Sequence, residues 1–271
     1  MKSIIQFTIA LILLLGLISC NDKSVSSQSG TGSLRIVATD APFDFDTVAS
    51  AKLTIDSIKL RQASGNTITV MDEQVTLDLL QLRNGLVETL SEIEVPAGKY
   101  DEIMLIVSSA TVDLKDERHF DLKVPSGAQS GLKVFVSPDL TVTTGLSHDV
   151  LLDFDLSRSF VVQGTSTDIK GFNFKPAIRA VNLTSAGSIS GSVQGLNEVG
   201  LSGATVTVTK NDATVATAVT DEFGYFKVLG LTEGTYSVTA EKEGYSSLKN
   251  DSISVTAGNE VTTQFILTVN Q

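Results

Sequence analysis

Apolar and polar residues alternate with a period of two along most of this chain, the spacing of strands that bury one face. Ala204, Val206 and Val208 oppose Thr205, Thr207 and Thr209. Val261, Thr263, Phe265, Leu267 and Val269 share one face near the C-terminus. Between His148 and Leu156, Val150, Leu152, Phe154 and Leu156 fall on one side. Asp149, Asp153 and Asp155 fall on the other, with Leu151. Turn signals such as Ser64-Gly65-Asn66, Pro96-Ala97-Gly98, Pro125-Ser126-Gly127 and Ala257-Gly258-Asn259 separate the runs. Many short strands with such turns predict an all-β protein built from sandwiches, not a parallel sheet with crossover helices. One stretch departs from this: Leu86, Leu90 and Ile93, spaced by four and three, predict one or two helical turns.

Residues Ile4 to Leu17 form an almost unbroken apolar run, preceded by Lys2 and closed by Asn21-Asp22-Lys23. A spanning helix needs about 20 apolar residues, more than this run supplies. It ends at Leu17-Ile18-Ser19-Cys20, and Cys20 is the only cysteine. This start resembles a bacterial lipoprotein signal peptide with its lipobox. The resemblance implies that residues 1–19 are removed and that Cys20 carries two or three acyl chains. With about 0.8 kcal/mol per buried methylene, one chain binds reversibly and several hold firmly. Lipidation would also remove a lone thiol from an oxidising compartment. Residues 20–33 are then a lipidated tether, since Ser24 to Ser33 is small, polar and without apolar periodicity. The expected location is the bacterial cell envelope, at the outer membrane, with periplasmic and surface faces both open.

The net charge of −11 and pI near 4.6 repel phosphate backbones, so nucleic acid is not an expected partner. From Cys20 onward the chain has about 250 residues, enough for two ordinary domains. The break is read at residues 184–188 (TSAGS), between a domain at 34–183 and another at 189–271.

The second region carries Gly191-Ser192-Val193, Leu201-Ser202-Gly203-Ala204, Thr220-Asp221-Glu222-Phe223-Gly224-Tyr225-Phe226, Leu231-Thr232-Glu233-Gly234-Thr235-Tyr236 and Glu243-Gly244-Tyr245. It resembles the carboxypeptidase regulatory-like family, which implies a seven-stranded transthyretin-like sandwich acting as a spacer, folding companion or adhesive module. The first region carries Thr39-Asp40-Ala41-Pro42, Pro96-Ala97-Gly98-Lys99-Tyr100, Val124 to Lys133, Leu152-Asp153-Phe154-Asp155 and Phe174-Lys175-Pro176-Ala177-Ile178-Arg179. It resembles a family of bacterial lipoprotein domains of unknown function, DUF4382. That resemblance implies a setting but no chemistry.

Candidate chemistry is sparse. Asp149, Asp153 and Asp155 at alternate positions are candidates for a calcium site, because calcium takes six to eight oxygen ligands. The plainer reading is a solvated strand face. A second acidic group, Asp40, Asp44 and Asp46, could join them only through a fold contact. Only His119 and His148 are present, with no Gly-x-Ser-x-Gly elbow and no His-Glu-x-x-His helix, so no catalytic residue is assigned. Tyr225 and Tyr245 are candidate glycan contacts, against a structural reading as packed or edge residues. The expected function is a non-enzymatic, membrane-anchored binding or structural module. A carbohydrate-binding surface lipoprotein is the first alternative and a hydrolase the second. No cofactor is expected beyond the candidate calcium. The partners would be the membrane, through the lipid, and an envelope glycan or protein.

Overall fold

Leu34, Ile36 and Ala38 alternate inward along β1 (Thr31–Ala41), and the same period recurs in every long strand. The computed structural model describes residues 30–41, 47–125, 130–165 and 168–270. The signal segment, Cys20, most of the tether, Asp44 and Asp46 lie outside these. β1 already begins at Thr31, inside the stretch read as tether, because Thr31 pairs with Pro96.

The first sandwich continues through β2 (Val48–Gln62), β3 (Thr67–Met71), β4 (Val75–Asp78), β5 (Glu88–Pro96), β6 (Gly98–Leu114), β7 (His119–Leu122), β8 (Leu132–Val142) and β9 (Ser147–Asp155). A single helical turn, α1 (Leu156–Ser159), leads to the hairpin β10 (Phe160–Thr165) and β11 (Asp168–Phe174), then β12 (Ile178–Asn182). The sheet order is β3-β2-β6-β8-β12-β9-β1-β5, with β4 on β2 and β7 on β6. β8 and β12 touch through the one pairing Ala180↔Val136, and there the sheet folds over on itself. Both layers share one core, with Leu34, Ile36, Leu53, Ile55, Ile103, Leu105, Val150 and Leu152 buried. Each such side chain contributes about 1.5–3 kcal/mol. The outer strands approach each other where the Ser91 hydroxyl donates to the Val70 carbonyl.

Leu90 and Ile93 stand on β5, not on a helix. The β1–β5 register passes from Ile36↔Ser91 to Val37↔Thr89, leaving Leu90 as a bulge. A bulge shifts the strand's alternation by one residue, and this produces a three-residue spacing that imitates a helix.

The second sandwich has β16-β13-β19 facing β15-β14-β17-β18. These are β13 (Ala186–Gly195), β14 (Thr205–Lys210), β15 (Ala213–Val219), β16 (Tyr225–Thr232), β17 (Gly234–Glu241), β18 (Leu248–Val255) and β19 (Glu260–Leu267). Ala204, Val206 and Val208 are buried as their spacing requires, with Phe226 and Phe265 packed at 6.2 Å between ring centroids. The Asp221 carboxylate accepts from the Phe223 and Tyr225 amides, and Gly224 at φ +82 completes the tight turn.

The join is shorter than the 184–188 stretch suggests. Asn182 caps a 3-10 turn at Leu183–Ser185, and β13 begins at Ala186. Val37, Leu151, Val181 and Ala186 form a buried cluster there, with Leu183 and Leu229 packed against it.

Candidate functional site at the join of the two domains

The acidic face of β9 is covered by the second sandwich. Leu151 is fully buried and Asp153 nearly so. Arg179, one strand away on β12, places Nε 2.9 Å from Asp153 Oδ2 and donates through Nη1 to the Gly230 carbonyl at 3.3 Å. Arg35 Nη2 lies 2.6 Å from Asp149 Oδ2, and Arg158 Nε lies 2.6 Å from Asp155 Oδ2. Burial works to raise the Asp155 pKa, but hydrogen bonds from Ser157 and Arg158 outweigh it and leave the carboxyl below its ordinary value.

These pairs correct the reading of Asp149, Asp153 and Asp155. Around Leu151 and Asp153 the face is an interdomain surface, while Asp149 stays partly solvated, and each carboxylate is paired with its own guanidinium. Among the described residues, no three Asp, Glu, His or Cys side chains converge to hold a metal.

The two acidic groups come near each other on one side. Parallel pairing of β1 with β9 sets Asp40 opposite Phe154, between Asp153 and Asp155 along β9, and Asp40 shares a small cavity with Asp153. Asp40 is 6% exposed, and neither carboxylate oxygen has a hydrogen-bond partner. Burial raises its pKa well above the usual range, and the charges of Asp153 and Asp155 raise it further. The Arg83 charge opposes this by more than Asp155 adds, and the Leu156 amide opposes it less, without reaching hydrogen-bonding geometry. The Thr39 hydroxyl lies 2.8 Å from the Leu86 carbonyl and 3.1 Å from that of Leu82, fastening the 82–86 loop to the end of β1.

That loop forms one wall of a groove of about 1290 Å³. Arg83, Asn84 and Leu86 line it from the first sandwich; Thr220, Asp221, Lys242 and Tyr245 line it from the second. Around the rim lies a shallower recess of about 610 Å³ over the outward face of β13, β16 and β19. Tyr225 lines the recess and is 58% exposed. Tyr245 is half-buried against the second core, so its packing role is the larger. Asn84 lines both concavities at φ +55, and its Oδ1 is buried without a partner. Sequence reading missed Asn84 altogether. It also passed over the outward row Ser188, Ser190, Ser192 and Gln194, although the alternation of that row was visible.

Neither histidine builds a hydrolytic site. His148 is buried, and its Nε2 accepts the Thr143 amide at 3.0 Å. His119 Nδ1 lies 2.5 Å from Asp113 Oδ1, while Ser50 Oγ donates to Asp113 Oδ2 at 2.6 Å. The carboxylate therefore separates hydroxyl from imidazole, and the imidazole cannot take the hydroxyl proton. Hydrogen bonds from Ser50 and then His119 lower the Asp113 pKa to about 2.

Two β-sandwiches joined by a three-residue turn define the class of this molecule. The family described as Domain of unknown function (DUF4382) matches residues 31–176, and the chain belongs to it. Residues 188–268 match the carboxypeptidase regulatory-like domain. Among curated proteins none matches. Solved structures similar to parts of the chain include a cohesin–X-dockerin complex of Acetivibrio cellulolyticus, at 26% identity over 30% of this chain and 57% of that one, TM-score 0.25. The Bacillus anthracis TIE protein shows 15% identity over 91% of this chain and 42% of that one, TM-score 0.28. The minor pilin of Streptococcus agalactiae shows 10% identity over 88% and 96%, TM-score 0.26. The chain thus spans a little over half the length of the first and less than half of the second.

Proposed function

We propose that the protein is a non-enzymatic binding module of the bacterial cell envelope, held to a membrane through acylated Cys20 and presenting the groove between its sandwiches to a ligand. The observation that carries this reading is that both domains wall the groove, and a buried apolar cluster and the Arg179 contacts fasten them together. The direction of β1 supports it. The strand starts at Thr31, where a tether would enter, and reaches the 82–86 loop at Thr39, eight residues later. At about 3.3 Å per residue, the groove wall stands about 26 Å from that entry point.

Two experiments test the proposal. The native protein should fractionate with membranes and carry acyl chains, and Cys20→Ser should release it; a variant that stays with the membrane sinks the anchor. The soluble Cys20→Ser protein should retain an envelope component from a panel of peptidoglycan sacculi, outer-membrane polysaccharide and envelope proteins. Ser247→Trp, which fills the groove wall, should weaken that retention, and undiminished retention would remove the groove from the reading.

A further inference from the structure

A ligand on this protein meets a surface with a particular chemistry at the recess beside the groove. Along β13 and β19 the outward positions are hydroxyls and amides in register, Ser190 beside Thr262 and Ser192 beside Gln264. Gln264 Nε2 donates to Gln194 Oε1 at 2.9 Å, so this row is already pre-ordered. Hydroxyls and amides both donate and accept, which is what a ligand made of hydroxyl groups requires. Tyr225 closes one edge, across from Ser192, as an exposed aromatic face against which an apolar C–H surface can lie.

Charge narrows the ligand further. Lys227 Nζ is paired with Glu260 Oε2 at 2.6 Å, and the Asp221 carboxylate holds two backbone amides, so the recess has no unpaired cation to attract an anionic chain. The chain's net charge of −11 works in the same direction. Asn84, from the first sandwich, also lines the recess; its Oδ1 is buried with no partner, and because an unsatisfied buried acceptor is costly, turning the amide outward to meet a ligand donor costs no existing hydrogen bond of that oxygen.

We infer that the outward face of β13, β16 and β19, with Tyr225 at its edge and Asn84 contributed by the other domain, is a composite site for a neutral polysaccharide chain. A sugar ring stacks on Tyr225 while its hydroxyls exchange hydrogen bonds with Ser192, Thr262, Gln264 and Asn84. This inference rests on the binding-module reading and names the ligand class at the same join.

The test is affinity electrophoresis and titration calorimetry of the full mature chain carrying Cys20→Ser, against soluble α-glucan, β-glucan, mannan and xylan. Saturable binding to at least one is expected. Tyr225→Ala should weaken it about tenfold, the loss of one aromatic stacking partner. Asn84→Gly, which keeps the positive φ, should weaken it about fivefold through one lost hydrogen bond. Phe135→Ala, an exposed aromatic on β8 of the first sandwich, should bind like the parent. Saturable binding to none of the four, or binding that both Tyr225→Ala and Asn84→Gly leave unchanged, overturns the inference. Retention of a non-glycan envelope component in the preceding assay would then show that the glycan assignment had failed while the groove reading stood.

Discussion

Arg179 and Asp153 form the polar fastening between the two domains: one guanidinium holds the buried carboxylate of its own sandwich and the Gly230 carbonyl of the other. The apolar cluster of Val37, Leu151, Val181 and Ala186 lies beside it. An arginine in this place makes three hydrogen bonds to two acceptor atoms, Asp153 Oδ2 and the Gly230 carbonyl, with one planar group, a fixed fork that lysine lacks.

Arg179→Met should therefore destabilise the protein by about 2–3 kcal/mol, at the lower end for a broken buried pair because the arginine is partly exposed. The loss comes from leaving Asp153 buried and unpaired. Urea unfolding measures the stability, and faster proteolysis at the 183–185 turn would report looser docking. An unchanged midpoint would mean that the apolar cluster alone holds the domains together.

Gly230 has φ +68, and a Cβ there would stand 3.0 Å from a Leu151 methyl and 3.4 Å from Val181. Gly258 has a similar φ of +73 with nothing within 4 Å. Both alanine variants should lose about 1 kcal/mol to backbone strain. Gly230→Ala should lose about 1 kcal/mol more from crowding at the domain contact. Equal midpoints for the two variants would show that the contact yields freely.

The raised pKa of Asp40 makes stability depend on pH with a defined sign. The folded protein holds this proton more tightly than the unfolded chain, where the value is near 3.8. The associated stability is fully present below that value and is lost as pH rises through the folded pKa. Asp40→Asn should melt higher than the parent at neutral pH, with the difference shrinking toward pH 4. A constant difference across that range would place the effect elsewhere than in ionisation. The charged groups that act on Asp40 are Asp153, Asp155 and Arg83.

Hydrogen bonding to Asp113, and then to Asp121, raises the His119 pKa above 6.5. Its stabilising contacts are fully present below 6.5 and fade as pH rises through the folded value. An NMR titration should show His119 titrating above 6.5 and moving down in Asp113→Asn. A value that ignores the substitution would show that the pair does not persist in solution.

Much of the strand content was legible because burial of one strand face writes a period of two into the chain, as in Ala204, Val206 and Val208. The seven-stranded form of the second sandwich was legible through its family resemblance, carried by turn residues such as Gly224 whose backbone conformation few other residues accept. The bulge at Leu90 was not, because it depends on a register with β1, a strand some fifty residues earlier in the chain.

The candidate site divides along the same line. Sequence alone supplied Tyr225, the acidic residues of β9 and the motif residues Thr39-Asp40-Ala41-Pro42 as local features. It determined the all-β class, the tandem arrangement and the family resemblances, since these depend on patterns within a few residues of one another. Only the tertiary structure decided that Asp153 faces another domain and takes an arginine, that Asp40 is buried without a partner, and that Asn84 joins Tyr225 at one recess. Those facts depend on which distant surfaces meet, and burial, pairing and pKa are properties of the meeting, not of the residues alone.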